Sequence, residues 1–282
     1  SVKDQIKAFK NRLQLAIDRG EDISSMNKHM VFYGNPGTGK TTVARIIARI
    51  YKDLGFVSKG HLVEVSRENL VAGYVGQTAI KTQKVIDSAM DGILFVDEAY
   101  QLARGGENDF GQEAIDTILA RMENDRDRLV VILAGYPDDM GKLFQLNDGL
   151  KSRINHEISF EDYNTEELKN IFLLYARKKY TVSVEVEALL DRLMKYAQGY
   201  KSRSNDTNYK FGNGRWVRNL FEKVEDNVSA RSGNSDVSIL LPNDFEGLSI
   251  SELQGFSLLE ETETAEKSNL EKLMSMTGLR KM

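Results

Sequence analysis

The chain has 282 residues, 41% of them hydrophobic and 28% charged, with a net charge of −4. That length and balance support one large packed domain or two modest ones and exclude wholesale disorder. The absence of cysteine excludes disulfides, iron–sulfur clusters and thiolate zinc sites; three scattered histidines (His29, His61, His156) argue against a histidine metal site or a serine–histidine relay.

In chain order, β-like runs fall at Met30–Tyr33, His61–Val65, Ile93–Asp97, Val130–Ala134 and Ile154–Phe160. Helical periodicity appears between them at Thr41–Asp53, Thr78–Met90 and Phe110–Glu123. Strands alternating with helices predict a three-layer α/β fold with a mostly parallel sheet. The rhythm changes after Tyr163. Asn164 is suited to cap a helix over Thr165–Lys179, and further helices are expected over Val184–Gln198 and Gly214–Ala230. The polar stretch Lys201–Asn213 reads as a loop, so a small all-helical domain follows the α/β one. Glu260–Lys267 (EETETAEK) reads as an acidic linker.

The longest apolar run, Leu129–Ala134, falls far short of the ~20 residues of a membrane span. No signal peptide is visible, which points to a cytoplasmic protein. Mild acidity disfavours nucleic acid as the default partner.

Chemistry concentrates in two motifs. Gly34–Thr41 reads GNPGTGKT, the pattern G-x-x-x-x-G-K-[ST]. Such a loop turns backbone N–H groups inward, and the following helix N-terminus adds positive potential for phosphate oxygens. The candidate phosphate-binding residues are Gly34, Asn35, Pro36, Gly37, Thr38, Gly39, Lys40, Thr41 and Thr42. Lys40 supplies charge for the β- and γ-phosphates, and the Thr41 hydroxyl can ligate Mg²⁺. Ile93–Glu98 (ILFVDE) reads as a buried strand with two acids at its carboxyl end, where open α/β sheets place ligands. Asp97 is the candidate Mg²⁺ residue and Glu98 the candidate general base. Taken alone, that strand would read as one that ends in acids because it reaches solvent.

GNPGTGKT followed by LFVDEA resembles the AAA+ ATPases. ILFVDEAYQL, VVILAGYPDDM, GLKSRI and FGNGRWVRNLFEK narrow the resemblance to the branch of the red-type Rubisco activase, stage V sporulation protein K and the type VII secretion ATPase. The likeness covers about residues 1–249. It implies a P-loop three-layer sandwich with a five-stranded sheet ordered 5-1-4-3-2 over residues 1–162. A helical lid over 163–249 and a linker over 250–282 would follow.

The resemblance also implies roles. Arg153 matches an arginine finger acting on a neighbouring subunit's ATP, with Arg126 and Arg128 as rivals; the bland alternative pairs Arg153 with Glu157 or Asp148. Arg215 matches a second sensor on the lid, with Arg218 as its alternate, and Trp216 reads as lid core. Tyr136 stands where many relatives carry a polar sensor. Tyr74, Val75 and Gly76 match a pore loop that grips polypeptide, against the alternative of a tyrosine folded onto its own domain. Val2 and Ile6 are candidates to flank adenine. The implied partners are ATP, Mg²⁺ and a protein client, in a hexameric ring or an array of tandem modules. LEKLMSMTGLRKM at the C-terminus resembles the opening of a further module, or reads as an ordinary amphipathic helix. The leading expectation is an ATP-driven remodelling or threading machine. An ATP-dependent assembly switch with slow hydrolysis is the main rival, and a small-molecule kinase or nucleic-acid motor fits less well.

Overall fold

A computed structural model describes residues 1–22, 26–74, 76–103, 109–203, 211–231 and 236–248. The chain forms two compact units, one of residues 1–34 and 39–161, the other of 35–38 and 162 onward.

The first unit is built on a parallel sheet of β1 (Met30–Gly34), β2 (Leu62–Val65), β3 (Gly92–Val96), β4 (Leu129–Gly135) and β5 (His156–Phe160), in the order β2-β3-β4-β1-β5. This is the expected order 5-1-4-3-2 read from the other side. Every residue of β3 and β4 is buried, because helices cover both faces and leave no solvent side for a polar alternation. Strand alternation then sorts the side chains. Val31, Leu94, Val96, Val131 and Leu133 pack with α4 (Thr78–Ser88) and α5 (Gly111–Asn124), whereas Phe32, Ile93, Phe95, Val130 and Ile132 pack with α2 (Lys40–Asp53).

The first helix of this unit was not expected from the sequence. In α1 (Val2–Asp18), charged residues mask a narrow apolar stripe; Ser1 and Asp4 form a capping box, and Phe9, Leu13 and Ala16 are buried. Val2 and Ile6 pack partly buried against the same core as Phe9 and Leu13. The short helices α3 (Arg67–Leu70), α6 (Pro137–Leu146) and α7 (Asp148–Arg153) lie in the connections. The run expected from Ile154 forms a strand only from His156, because Ile154 closes α7.

The second unit packs α8 (Thr165–Ala176), α9 (Val184–Arg203) and α10 (Asn213–Ala230) around Leu168, Phe172, Leu190, Val217 and Phe221. Trp216 lies in this core, tilted on Phe211. Asn164 caps α8 through a capping box with Glu167. That helix stops at Ala176, short of Lys179, because the chain turns there to pair β6 (Thr181–Val182) in parallel with β7 (Ile239–Leu240). The α9 helix runs past Gln198 to Arg203, into the stretch expected to be a loop. The C-terminal LEKLMSMTGLRKM and the linker before it lie outside the described residues.

Candidate active site

The phosphate loop leaves β1 at Gly34 and enters α2 at Lys40. Gly37 (φ 70°) and Gly39 (φ 91°) adopt left-handed backbone, which a Cβ would strain. Gly39 stands at the N-cap of α2 with no side-chain cap bond, and no acid occupies the first turn, so the N–H groups of that turn keep their positive potential. Lys40 Nζ donates to Gly34 O at 2.9 Å. The Thr41 hydroxyl donates to Glu64 Oε1 at 3.1 Å, and Arg45 pairs with Glu64 at 3.0 Å. Thr42 is exposed on the same helix.

Loop residues 35–38 belong with the second unit. The Thr38 hydroxyl donates to Asn35 O, and the Tyr163 hydroxyl donates to Thr38 O at 3.0 Å. The Asn213 amide donates to Pro36 O, Asp162 Oδ1 and Phe211 O, and its oxygen accepts from Tyr163 N–H. Asn35 also donates to Asp162 at 2.8 Å. Gly214 N–H donates to Gly37 O, and a Cβ on Gly37 would lie 2.1 Å from Gly212 O. Asn213, fully buried at φ 47°, therefore organises the loop tip. Arg215 and Arg218 are exposed on the first turns of α10. Sequence reading missed Asn213 because its asparagine was absorbed into a polar stretch; the signal was an asparagine between two glycines, suited to left-handed backbone.

The acidic pair lies at the carboxyl edge of the sheet. Register pairs Val96 with Leu133 and Leu133 with Val31. Asp97 thus follows β3 at the level of Phe32, two strands from β1, a lateral step of about 10 Å. Asp97 N–H donates to Val65 O at 2.8 Å, and Asp97 Oδ1 accepts from Glu98 N–H at 3.1 Å. Glu98 has φ 49°, a conformation that non-glycine residues adopt mainly under constraint. Its Oε2 accepts a hydrogen bond from Gln101 Nε2. The Thr41 hydroxyl and Asp97 carboxylate are hard oxygen donors that suit Mg²⁺, an ion that keeps several waters and needs few protein ligands. The left-handed glycine cradle likewise fits a triphosphate.

Family models agree with this geometry. Residues 30–162 match "ATPase family associated with various cellular activities (AAA)", and residues 164–255 match the AAA lid domain. The chain belongs to the AAA ATPase family. This AAA ATPase is 42% identical over 261 residues to the ESX-1 secretion system protein EccA1 of Mycolicibacterium smegmatis, covering 89% of this chain and 44% of that protein. It is 43% identical over 246 residues to the ESX-3 secretion system protein EccA3 of Mycobacterium tuberculosis, covering 83% and 39%. The chain thus spans less than half the length of these relatives. Among solved structures, it resembles the FIGL-1 AAA domain in complex with ADP (TM-score 0.55, 16% identity, 92% of this chain and 82% of that one). It also resembles a point mutant of Thermotoga maritima RuvB (TM-score 0.60, 18% identity, 99% and 83%).

The remaining candidates of this AAA ATPase are dispersed. Arg153 ends α7, ahead of β5 and so at the amino edge of the sheet. It is not brought to its own chain's phosphate loop. Its Nε lies 3.3 Å from Glu123 Oε2, an ion pair without hydrogen-bond geometry, and its Nη1 donates to Gly149 O. The expected partners Glu157 and Asp148 give way to Glu123, because α5 ends beside α7. Of the rivals, Arg126 also pairs with Glu123, and Arg128 pairs with Asp91, whose carboxyl it holds at about 2 by hydrogen bonding. Tyr136, at the tip of β4, caps α6 and sits 5.6 Å from the Tyr100 ring. Tyr74 is 74% exposed and Gly76 is exposed at φ 75°, so the tyrosine is not folded onto its domain. Val75 lies outside the described residues. No helix among the described residues is long and apolar enough to cross a membrane.

Proposed function

We propose that this AAA ATPase hydrolyses Mg·ATP between copies of itself and uses the cycle to remodel or thread a protein client. The observation that carries the reading is the separation of Glu98 and Arg153. One stands at the carboxyl edge of the sheet and the other at the amino edge, a strand length of about 17 Å apart. Each chain thus offers half a site at each edge, and a head-to-tail ring, hexameric in the family pattern, joins the halves.

In this reading the loop N–H groups and Lys40 orient the triphosphate, with Lys40 exchanging Gly34 O for phosphate oxygen. Thr41 and Asp97 would hold Mg²⁺, which would withdraw charge from the phosphate oxygens. Glu98 accepts a proton from the attacking water as the bond to the departing ADP breaks. The neighbour's copy of Arg153 neutralises charge on the transferring group, and Arg215 reports nucleotide state to the lid. The exposed Tyr74 loop grips extended polypeptide by packing. The names of the relatives suggest a client handled by a secretion system. The hydrogen bond from Gln101 to Glu98 favours, as a second reading, an assembly switch that hydrolyses slowly.

Steady-state ATPase rate per chain against protein concentration tests the proposal, with Glu98→Gln as control. A steep rise with concentration supports catalysis between copies. A flat rate contradicts it, and a steep assembly curve with turnover no better than the control supports the switch.

A further inference from the structure

The Tyr74 loop and the acidic edge are far apart in sequence, yet a continuous set of side-chain bonds joins them within the first unit. The loop leaves α3 and re-enters at α4, and both ends are fastened to the start of α5. On the α3 side, Arg67 donates through both terminal nitrogens to Asp109. On the α4 side, Ala79 N–H donates to Glu113 Oε1 at 3.2 Å. Arg67 Nη1 also donates to Gln101 O at 2.8 Å, in the 3-10 helix Ala99–Ala103 that follows Glu98. The side chain of this same Gln101 donates to the Glu98 carboxylate.

The packing leaves little slack. A Cβ on Gly111 would lie 2.0 Å from Leu102 O and 2.8 Å from Arg67 Nη1. Lys81 donates to Glu68 O and Val71 O, and Thr82 donates to Leu70 O, which makes α3 and α4 a braced pair beneath the loop. Arg67 thus ties the base of the loop to the Gln101 backbone. Glu98, with its left-handed backbone and its carboxylate engaged by a neutral amide, is poised to change partner when nucleotide arrives.

We propose that Arg67 and Gln101 form a two-way relay between the Tyr74 loop and Glu98. Gln101 holds the Glu98 carboxylate away from the attacking water, and Arg67 couples its release to the position of the loop. Both are positioning residues, and the inference rests on the hydrolytic reading above. Coupling of this kind is reciprocal: nucleotide at the acidic edge must shift the loop by the same free energy with which the loop shifts nucleotide binding.

The lack of native cysteine permits a clean test. Gly73 tolerates a Cβ, with nothing within 4 Å, so Gly73→Cys carrying an environment-sensitive thiol dye reports on the loop. Signal is compared between saturating Mg·ADP and a slowly hydrolysed Mg·ATP analogue, with ATP turnover measured alongside. Arg67→Ala should reduce the nucleotide-dependent signal at least about fivefold, with analogue affinity held within about twofold. Arg67→Lys keeps the charge but lacks the planar fork that reaches Gln101 O and both Asp109 oxygens; it should fall between, and it stands in if the alanine variant fails to fold. Gln101→Ala should raise basal turnover severalfold while erasing the signal. Full signal in both Arg67 variants, or unchanged turnover in Gln101→Ala, overturns the relay while leaving hydrolysis intact. If the labelled parent itself fails to hydrolyse ATP, the hydrolytic reading falls and the relay with it.

Discussion

The two edges of the central sheet both gather polar groups, and they treat them differently. At the amino edge, beside ion pairs such as Arg128–Asp91 and Arg153–Glu123, the buried bonds run to fixed backbone. His29, 4% exposed, accepts Val131 N–H on Nδ1 and meets Met122 O with Nε2; the Tyr51 hydroxyl donates to Lys28 O, Lys28 to Arg126 O, and Asn27 to Arg153 O. At the carboxyl edge, Thr41 and Glu98 bond to the side chains of Glu64 and Gln101, partners that can be exchanged for a ligand. A bond to buried backbone is costly to break, whereas side-chain pairs re-form elsewhere at little net cost. In the proposed reading one edge is a scaffold and the other a receptor.

The largest expected effect comes from removing the one amino-edge group assigned to the neighbour's chemistry. Arg153→Ala should lower ATP turnover by roughly 10³-fold or more and leave Mg·ATP affinity nearly intact, as equilibrium binding of a fluorescent ATP analogue would register. Unchanged turnover would return Arg153 to the scaffold. Next is Glu98→Gln at the receptor edge. It should cost roughly 10²-fold or more in turnover while nucleotide is retained. A variant that loses binding instead would place Glu98 in affinity rather than proton transfer.

A third effect concerns stability. Burial pushes His29 down to about 4 from its ordinary 6.5, so the folded protein keeps it neutral. Below 6.5 the unfolded chain binds a proton that the folded one refuses. Stability is therefore fully present above 6.5 and lost as pH falls toward 4, by about 2 kcal/mol between pH 7 and 5. Urea unfolding at the two pH values measures this, and His29→Gln should flatten the difference; an equal slope in the variant would clear His29. The smallest effect is expected for Arg128→Ala. Arg128 is more than half exposed and ion-paired with Asp91, so both stability (within about 1 kcal/mol) and turnover (within about twofold) should hold. A large loss of turnover would make Arg128 the better finger.

What the sequence revealed follows the same division. Apolar runs such as Leu94–Val96 and Val130–Leu133 announce strands buried on both faces, and GNPGTGKT announces its own loop, since few other backbones need those glycines before a lysine. The α1 helix stayed hidden because Lys, Asp, Gln and Arg surround its narrow stripe of Phe9, Leu13 and Ala16. Arg67, Gln101 and Asn213 stayed hidden for another reason. Arg67 and Asn213 bond to Asp109 and Asp162, partners that only the fold brings near, and Gln101, though only three residues from Glu98, meets Arg67 only through the fold. Arg153 was legible as a residue of interest, whereas its place at the far edge from Glu98 required the topology.

Mixing two crippled proteins tests the shared pocket most directly. Arg153→Ala retains Glu98, and Glu98→Gln retains Arg153. Combined in equal amounts at a concentration that supports assembly, they should form interfaces of which about one in four joins an intact acid to an intact arginine, restoring about a quarter of parental turnover. Turnover that stays at the average of the two separate variants would mean that each chain works alone.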